Sequence, residues 1–427
     1  MSAAEPDFDI AIFGAGPVGA AFALLLARVW PDPARLLVVD ARPAGAAAAD
    51  PRALAISEGS LQLLARLIDP RELASAPIET VHVSQRGHFG RTLLSASEMG
   101  VAALGRVVRY RDLMAPLEIA LAASGVRIAR PATVAPQVTE SGVRLDLPDG
   151  AVEAALLVHA EGGVFERTAV VAGSEAGAAM SRAPAGAASA NSARTAPRQR
   201  DYGQSAVICE VEASQPRRGW AFERFTRGGP IALLPVDDGR RQSLVWCAAP
   251  DDAARIAALD DMAFLAALGE AFGSRVGQFR AAGPRHVYAL GQVRRDGGGA
   301  REVGIGNAAQ ILHPVAGQGF NLGLRDAAAL ADALAMSAST PRPGAATATT
   351  AAFDPRAAFD PATALAAYRA ARRLDRDFVL HATDALARLF TLPLPGATHA
   401  AGAAIALLDL LPALRRPVTR ALMFGLR

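Results

Sequence analysis

The chain has 427 residues, 51% of them hydrophobic and 20% charged, which is enough for two or three domains with packed cores. A formal net charge of +3, with no dense Lys/Arg stripe interleaved with aromatics, argues against nucleic acid as a partner. Cys209 and Cys247 are its two cysteines; both lie in apolar runs, exclude a disulfide framework or zinc cluster, and suit a reducing compartment.

In chain order, the acidic start (Glu5, Asp7, Asp9) runs straight into a strand, which predicts no signal peptide. Asp9-Ile10-Ala11-Ile12-Phe13-Gly14-Ala15-Gly16-Pro17-Val18-Gly19 reads as a buried parallel strand, a Gly-rich turn and a helix over 17–28. Gly14 permits the tight turn, Gly16 lets backbone approach a pyrophosphate, and Gly19 lets the helix pack on the strand. With Pro17 in its first turn, the helix points its N-terminal amides at the phosphates. A second strand, 36–39, ends at Asp40, an acid placed to accept hydrogen bonds from a ribose hydroxyl. The order strand, glycine triplet, helix, strand, acid predicts dinucleotide binding; the alternative is a plain βαβ unit. Arg42 and Arg52 are either cofactor-flanking cations or solvated loop arginines, and Ser57 is placed to cap the next helix.

Four short β-like runs follow within 201–290: 206–211, 220–225, 231–235 and 243–247. Leu233, Leu234 and Pro235 are expected to face a ligand ring or else to be core. A second Gly-rich block begins at Gly304-Ile305-Gly306-Asn307-Ala308-Ala309 and runs through His313-Pro314-Val315-Ala316-Gly317-Gln318-Gly319-Phe320-Asn321 into a helix reaching about residue 336. Asn307 can bond a ribose or ribityl hydroxyl; Gly317, Gln318 and Gly319 give a backbone with little side-chain bulk, and the helix start adds a second positive end. His313 reads as structural support; His82 and His88 flank a strand, and no Ser-His-Asp or metal-ligand cluster appears. The stretch 362–427 is helical by pattern. Its tail mixes Leu407, Leu410, Leu411 and Leu414 with Arg415, Arg416 and Arg420, which suits either a membrane surface or a cap on the core.

Several stretches together resemble a known family: Gly14 to Gly19, Asp50 to Ser57, Asp201-Tyr202-Gly203-Gln204-Ser205-Ala206, Ala221-Phe222-Glu223-Arg224-Phe225, Gly229 to Pro235, and Gly304 to Asp326. The sequence is similar to the flavin-dependent aromatic hydroxylases related to para-hydroxybenzoate hydroxylase. Within them it most resembles the ubiquinone-biosynthesis hydroxylases of the 2-octaprenyl-6-methoxyphenol hydroxylase type. The resemblance implies an α/β, para-hydroxybenzoate hydroxylase-like architecture: a Rossmann-like FAD-binding domain, a mixed-sheet substrate domain and C-terminal helices. It implies FAD as cofactor, NAD(P)H as co-substrate, O2, and a flavin hydroperoxide that hydroxylates the ring of a polyprenyl phenol. The implied cofactor-binding residues are Gly14, Gly16, Pro17, Gly19, Asp40, Arg42, Arg52, Glu161, Gly306, Asn307, Gly317, Gly319, Phe320 and Asn321. Pro314, Gly317, Gln318 and Gly319 would surround the flavin ring, with no acid or base assigned. The location implied is cytoplasmic, with peripheral contact at the inner membrane face and other quinone-biosynthesis proteins as further partners. Two other readings stay open: a hydroxylase of a small soluble phenol, and a non-catalytic flavin-binding subunit.

The chain departs from the family near 156–167. Glu161 stands where Asp is usual, His159 where Gly is usual and Phe165 where Ser is usual; further on, Gln310 replaces a usual His. The expected domain order is FAD-binding domain (1–83), a strand excursion into the substrate domain (84–100), FAD-binding domain (101–168), a flexible insertion (169–200), substrate domain (201–290), FAD-binding domain (291–336), a flexible linker (337–361) and the C-terminal helical region (362–427).

Overall fold

The structure, a computed structural model, describes residues 6–139, 142–162, 167–170, 198–237, 239–294, 299–339, 360–389 and 397–426. Phe165 and most of the two compositional insertions (171–197 and 340–359) lie outside the described residues.

Phe8–Phe13 lies between two parallel partners, Leu36–Val39 and Gly150–His159, and Glu302–Gly304 runs parallel on the far side of Gly150–His159. Val143–Leu147 extends this sheet in antiparallel fashion. Such a strand must be apolar on both faces, and this one is. Ile10 and Ile12 enter the core beneath the helices Pro17–Ala27 and Gln318–Ser339, while Ala11 and Phe13 pack on the other side with Leu37 and Val39. The helix Pro17–Ala27 starts at a Pro and is buried from Gly19 to Leu26, so it is a core helix between sheet and neighbouring helices.

The larger sheet has ten strands among the described residues and is mixed. Its centre is the antiparallel set Arg198–Ala213, Arg241–Ala248, Gly229–Val236 and Trp220–Thr226. Thr80–Gln85 then adds in parallel beside Trp220–Thr226, and Arg91–Ser95 closes that edge. The excursion from the first domain therefore includes 80–83, and His82 lies within the strand rather than beside it. One face is covered by the helices Pro250–Ala258 and Asp261–Phe272. Phe264, Leu268 and Phe272, spaced four apart, form a fully buried stripe. Burial of each such side chain is worth about 2–3 kcal/mol.

This register corrects the expectation for Leu233, Leu234 and Pro235. Successive strand residues point to opposite faces, so the three cannot share a ligand. Leu233 is buried in the core under the two helices, whereas Leu234 packs with Ile78, Val107 and Ala221 on the other side.

Candidate FAD-binding site

Four parallel strands end side by side, and each delivers one expected residue to the same edge. Leu36–Val39 ends at Asp40, Phe8–Phe13 at Gly14, Gly150–His159 just before Glu161, and Glu302–Gly304 just before Gly306. The carboxyl edge of a parallel sheet is where such folds hold ligands. The two Gly-rich turns meet there. A Cβ built on Gly323 would lie 2.8 Å from Val18 Cγ2 and 3.2 Å from the Gly306 Cα, so the Val18 side chain of the first-turn helix seats on the bare backbone of the second turn.

The glycines divide into two kinds. Gly14 has φ +98°, and a Cβ there would lie 2.6 Å from the Glu161 Cα; one on Gly19 would lie 1.9 Å from the Gly14 carbonyl oxygen. These two serve the turn and the packing of the helix on it. Gly16 is different. Its φ of −65° and ψ of 178° suit any residue, and a Cβ would meet nothing closer than the Tyr110 hydroxyl at 3.6 Å. Gly319 is similar, with Asn307 Oδ1 at 3.9 Å as the nearest atom. Neither backbone strain nor packing requires glycine at 16 or 319, but close approach of a ligand does. No side chain caps the helix at Gly16, and neither glycine-led helix has an acid in its first turn. Both ends thus keep amides and positive dipole ends for an anion. The residues fit a dinucleotide on an independent structural ground.

Asp40 is buried. Its Oδ2 accepts from the Ala15 amide at 2.6 Å and its Oδ1 from the Arg42 amide at 2.7 Å, and the longer bonds from the Arg42 side chain, at 3.3 and 3.4 Å, are the ones a hydroxyl could replace. Arg42 is half-exposed and also reaches Asp40, through Nε at 3.3 Å. An open depression of ≈ 220 Å³, including the solvent at its mouth, lies here, lined by Ala15, Asp40, Arg42, Met114 and Arg130 among others. Arg52 is held bidentately by Asp50, with Nη2–Oδ2 at 2.7 Å, and its guanidinium sits 4.8 Å from the centre of the Tyr110 ring.

Glu161 is exposed and receives His159 Nδ1 at 3.2 Å, while His159 Nε2 lies 3.6 Å from the buried Glu302 carboxylate. Burial alone would lower the His159 pKa, but Glu161 and Glu302 push it up to about 9, so the ring is a cation at neutral pH. The two departures from the family at 159 and 161 are therefore one ion-paired unit beside Gly14.

At the second turn, Gly306 and Gly317 have φ of +57° and +58°, where glycine is favoured. Asn321 is buried: Nδ2 donates to the Ala55 and Gly317 carbonyls at 2.9 and 3.0 Å, and Oδ1 accepts from the Ser57 amide at 2.9 Å. Both its side-chain donor hydrogens are spent on the chain, so the side chain ties the turn to the strand Ala53–Ser57. Asn307 sits on the turn itself, and Pro314 opens the 3-10 turn Val315–Gly317 that leads through Gln318 to Gly319 and Phe320. His313 is buried; Nδ1 accepts from the Val315 amide at 3.2 Å, so the proton is on Nε2, which donates to Gln204 Oε1 at 3.0 Å. Burial pushes its pKa down to about 4, in keeping with a neutral supporting ring.

Sequence reasoning missed two groups. Tyr110 stands across from Gly16, brought there by its position at the start of the helix Tyr110–Ala122, and no local pattern marks it. Asp326 ends the glycine block, yet its carboxylate is wholly buried. It accepts from the Gly306 amide and Gln310 Nε2, both at 3.3 Å, and from Arg372 Nε and Arg376 Nη2 at 2.8 and 2.9 Å.

Residues 7–346 match the family described as FAD binding domain. The chain belongs to this FAD-binding family. Among relatives, it is 31% identical over 351 residues to 3-demethoxyubiquinol 3-hydroxylase of Escherichia coli, covering 76% of this chain and 79% of that protein. It is 40% identical over 192 residues to ubiquinone hydroxylase UbiL of Rhodospirillum rubrum, covering 44% of this chain and 41% of that protein. The latter match thus spans under half of that relative's length. Among solved structures, pqsL, a probable FAD-dependent monooxygenase from Pseudomonas aeruginosa, superposes with a TM-score of 0.64 at 19% identity over 93% of this chain and 99% of that one. The Diels-Alderase PyrE3 superposes with 0.66 at 18% identity over 98% of this chain and 80% of that one. These two likenesses establish the para-hydroxybenzoate hydroxylase-like fold; their different chemistries show that the fold alone does not set the reaction.

Proposed function

We propose that this FAD-binding chain is a monooxygenase that hydroxylates the ring of a polyprenylated phenol in ubiquinone biosynthesis, with NAD(P)H and O2 as co-substrates. The observation that carries the reading is the meeting of both Gly-rich turns at one sheet edge, in a chain 31% identical to a ubiquinol-pathway hydroxylase over three quarters of its length. Bound FAD supplies the redox chemistry, passing electrons from NAD(P)H to O2. The chain's part is to hold and dry it. Gly16 and Gly319 leave room for backbone contact, Asp40 would accept from the ribose, the start of the helix Pro17–Ala27 would face the phosphates, and the start of the helix Gln318–Ser339 would lie at the pyrimidine edge of the flavin ring. Gly317, Gln318 and Pro314 border the ring. Phe225, Val83 and Val315 pack together between the large sheet and the second turn, which keeps water from that side. Deletion of the gene should stop ubiquinone synthesis and accumulate one under-hydroxylated polyprenyl intermediate, read by lipid mass spectrometry; the intact gene should restore it. Normal ubiquinone content in the deletion strain would instead support a small soluble phenol as substrate.

Among the described residues, no helix is long and apolar enough to cross a membrane. The junction of the helices Ala397–Leu410 and Pro412–Phe424 nevertheless exposes Leu410 (75%), Leu411, Leu414 and Val418, flanked by exposed Arg416 and Arg420. We propose that this corner rests on an anionic membrane surface, where a lipid-borne phenol is collected. The protein should float with vesicles containing phosphatidylglycerol and much less with pure phosphatidylcholine. The double variant Leu410→Asp/Leu414→Asp should stay in the soluble fraction; equal flotation of wild type and variant would refute the contact.

A further inference from the structure

The large sheet carries a second charged site on the face away from the cofactor edge. Arg224 and Phe225 are adjacent in the strand Trp220–Thr226, so they point to opposite faces. Phe225 packs with Val315 of the second Gly-rich turn. Arg224 points the other way, beneath the end of the helix Asp261–Phe272. Its residue is only 8% exposed, its Nη1 donates to Ser84 Oγ at 3.2 Å, and its Nε has no hydrogen-bond partner. Arg275 approaches the same spot: Arg275 Nη1 and Arg224 Nη2 lie 3.6 and 3.9 Å from the point where a Cβ on Gly273 would sit.

Positive charge also surrounds this spot. Arg91 is paired in register with Ser84, and Arg86 stands at the rim, bonded to the exposed Glu270 at 3.2 Å. His82, one register step along the strand, is buried with Nδ1 unpartnered. Among the described residues, no carboxylate pairs with Arg224, Arg275 or Arg91, and Glu223, next in the chain, belongs to the opposite face. Burial and the neighbouring cations together disfavour further positive charge here. Burial, Arg275 and Arg86 lower the Arg224 pKa to about 10; burial, Arg275, Arg91 and Arg224 lower that of His82 to about 4. The guanidinium is still charged at neutral pH, and a buried charge without a counter-charge is expensive.

We propose that Arg224, Arg275 and Ser84 form a binding site for an oxyanion of the phosphate class, with Arg91 at its entrance. Planar guanidiniums converging from two elements suit a multiply charged tetrahedral anion, which each can bind through paired N–H groups. The Ser84 hydroxyl adds a neutral donor. The phosphate is either free inorganic phosphate or the phosphoryl group of a nucleotide, with the 2′-phosphate of NADPH as the nucleotide case tested.

Thermal unfolding of the flavin-loaded protein tests the site, with chloride used to hold ionic strength constant. Inorganic phosphate at millimolar concentration should raise Tm by about 3 °C. Arg275→Gln should remove most of the rise; because Arg275 is only part-buried and ion-paired with nothing described, this variant should fold and retain flavin. Ser84→Asp places a carboxylate beside Arg224. It should raise Tm without added anion and abolish the response to phosphate, whereas Ser84→Asn should not raise it. The source of the phosphate follows from NADPH and NADH. A larger Arg275-dependent shift with NADPH identifies the nucleotide; equal shifts, with the phosphate response intact, identify the free ion. No rise with phosphate beyond chloride, or an unchanged rise in both Arg275→Gln and Ser84→Asp, would overturn the site.

Discussion

Asp326→Ala should destabilise the protein by about 3–5 kcal/mol, the cost of breaking a buried ion pair by removing one partner. The Asp326 carboxylate has no exposed surface and lies between Arg372 and Arg376 of the helix Pro361–Leu389. Without it, the Arg376 guanidinium loses its paired carboxylate, Arg372 keeps only Asp375, and the Gly306 amide and Gln310 Nε2 lose their acceptor. Asp375 shares the load by binding Arg372 at 2.7 Å and Arg325 at 2.8 Å, so the loss should spread along the helix pair rather than stay local. Burial pushes the Asp326 pKa up, yet Arg376 and Arg372 outweigh it and hold the carboxyl below its ordinary 3.8. The sign for stability follows. A depressed folded-state pKa stabilises fully above the unfolded value and is lost as pH falls through the folded value. The penalty of Asp326→Ala should therefore be constant from neutral pH to about 5 and shrink only below the ordinary carboxylate range. Urea titrations at several pH values read this directly. A variant within 1 kcal/mol of wild type at pH 7 would mean that the arginines find other acceptors. Asp326→Asn keeps the shape but not the charge, and should lose flavin affinity along with stability because Gly306 is anchored through this group.

Much of the architecture was legible in the sequence because it rests on local signals. The strand Leu36–Val39 is four apolar residues ending at an acid, and the structure gives the same bounds. The helix read over 17–28 spans Pro17–Ala27, begun by a proline that fits only a first turn. Ser57 caps its helix by accepting from the Ser60 amide. What could not be read depends on register and on partners far apart in the chain. The face that Leu233 or Pro235 occupies is fixed by pairing with Leu244 and Gln242. Nothing in the sequence links Asp326 to Arg372, 46 positions on, or brings Tyr110 opposite Gly16. The paired departures at His159 and Glu161 look like two separate losses of family pattern until their 3.2 Å contact shows them to be one unit. The basic corner at Arg224 is likewise assembled from three strands and the segment after a helix.

Gly16→Val should yield a folded but colourless protein, and this outcome separates a ligand-bearing glycine from a structural one. Gly16 has ordinary backbone angles, and its Cβ direction is open to 3.6 Å, so the protein itself tolerates a side chain there. Tm should move little. A branched side chain would nevertheless fill the space in which helix-start amides meet a pyrophosphate. Such overpacking costs about 1–3 kcal/mol, or roughly five- to 150-fold in flavin affinity. Gly16→Ala should fall between variant and wild type. Gly19→Ala makes the contrasting case: its methyl would lie 1.9 Å from the Gly14 carbonyl oxygen, so it should lower Tm in the absence of flavin as well as in its presence. Flavin absorbance after purification, Kd by fluorescence quenching and Tm of the flavin-free proteins distinguish the two classes. Full yellow colour in Gly16→Val would remove the first turn from the cofactor site. Unfolding of Gly16→Val without flavin would show that glycine is needed there by the chain and not by its ligand. The same comparison at Gly319, whose Cβ would have nothing nearer than Asn307 Oδ1 at 3.9 Å, tests the second turn independently. A single dinucleotide gripped at both turns requires the two substitutions to weaken the same binding event, so their effects on Kd should be similar in kind and neither should alter Tm of the flavin-free chain.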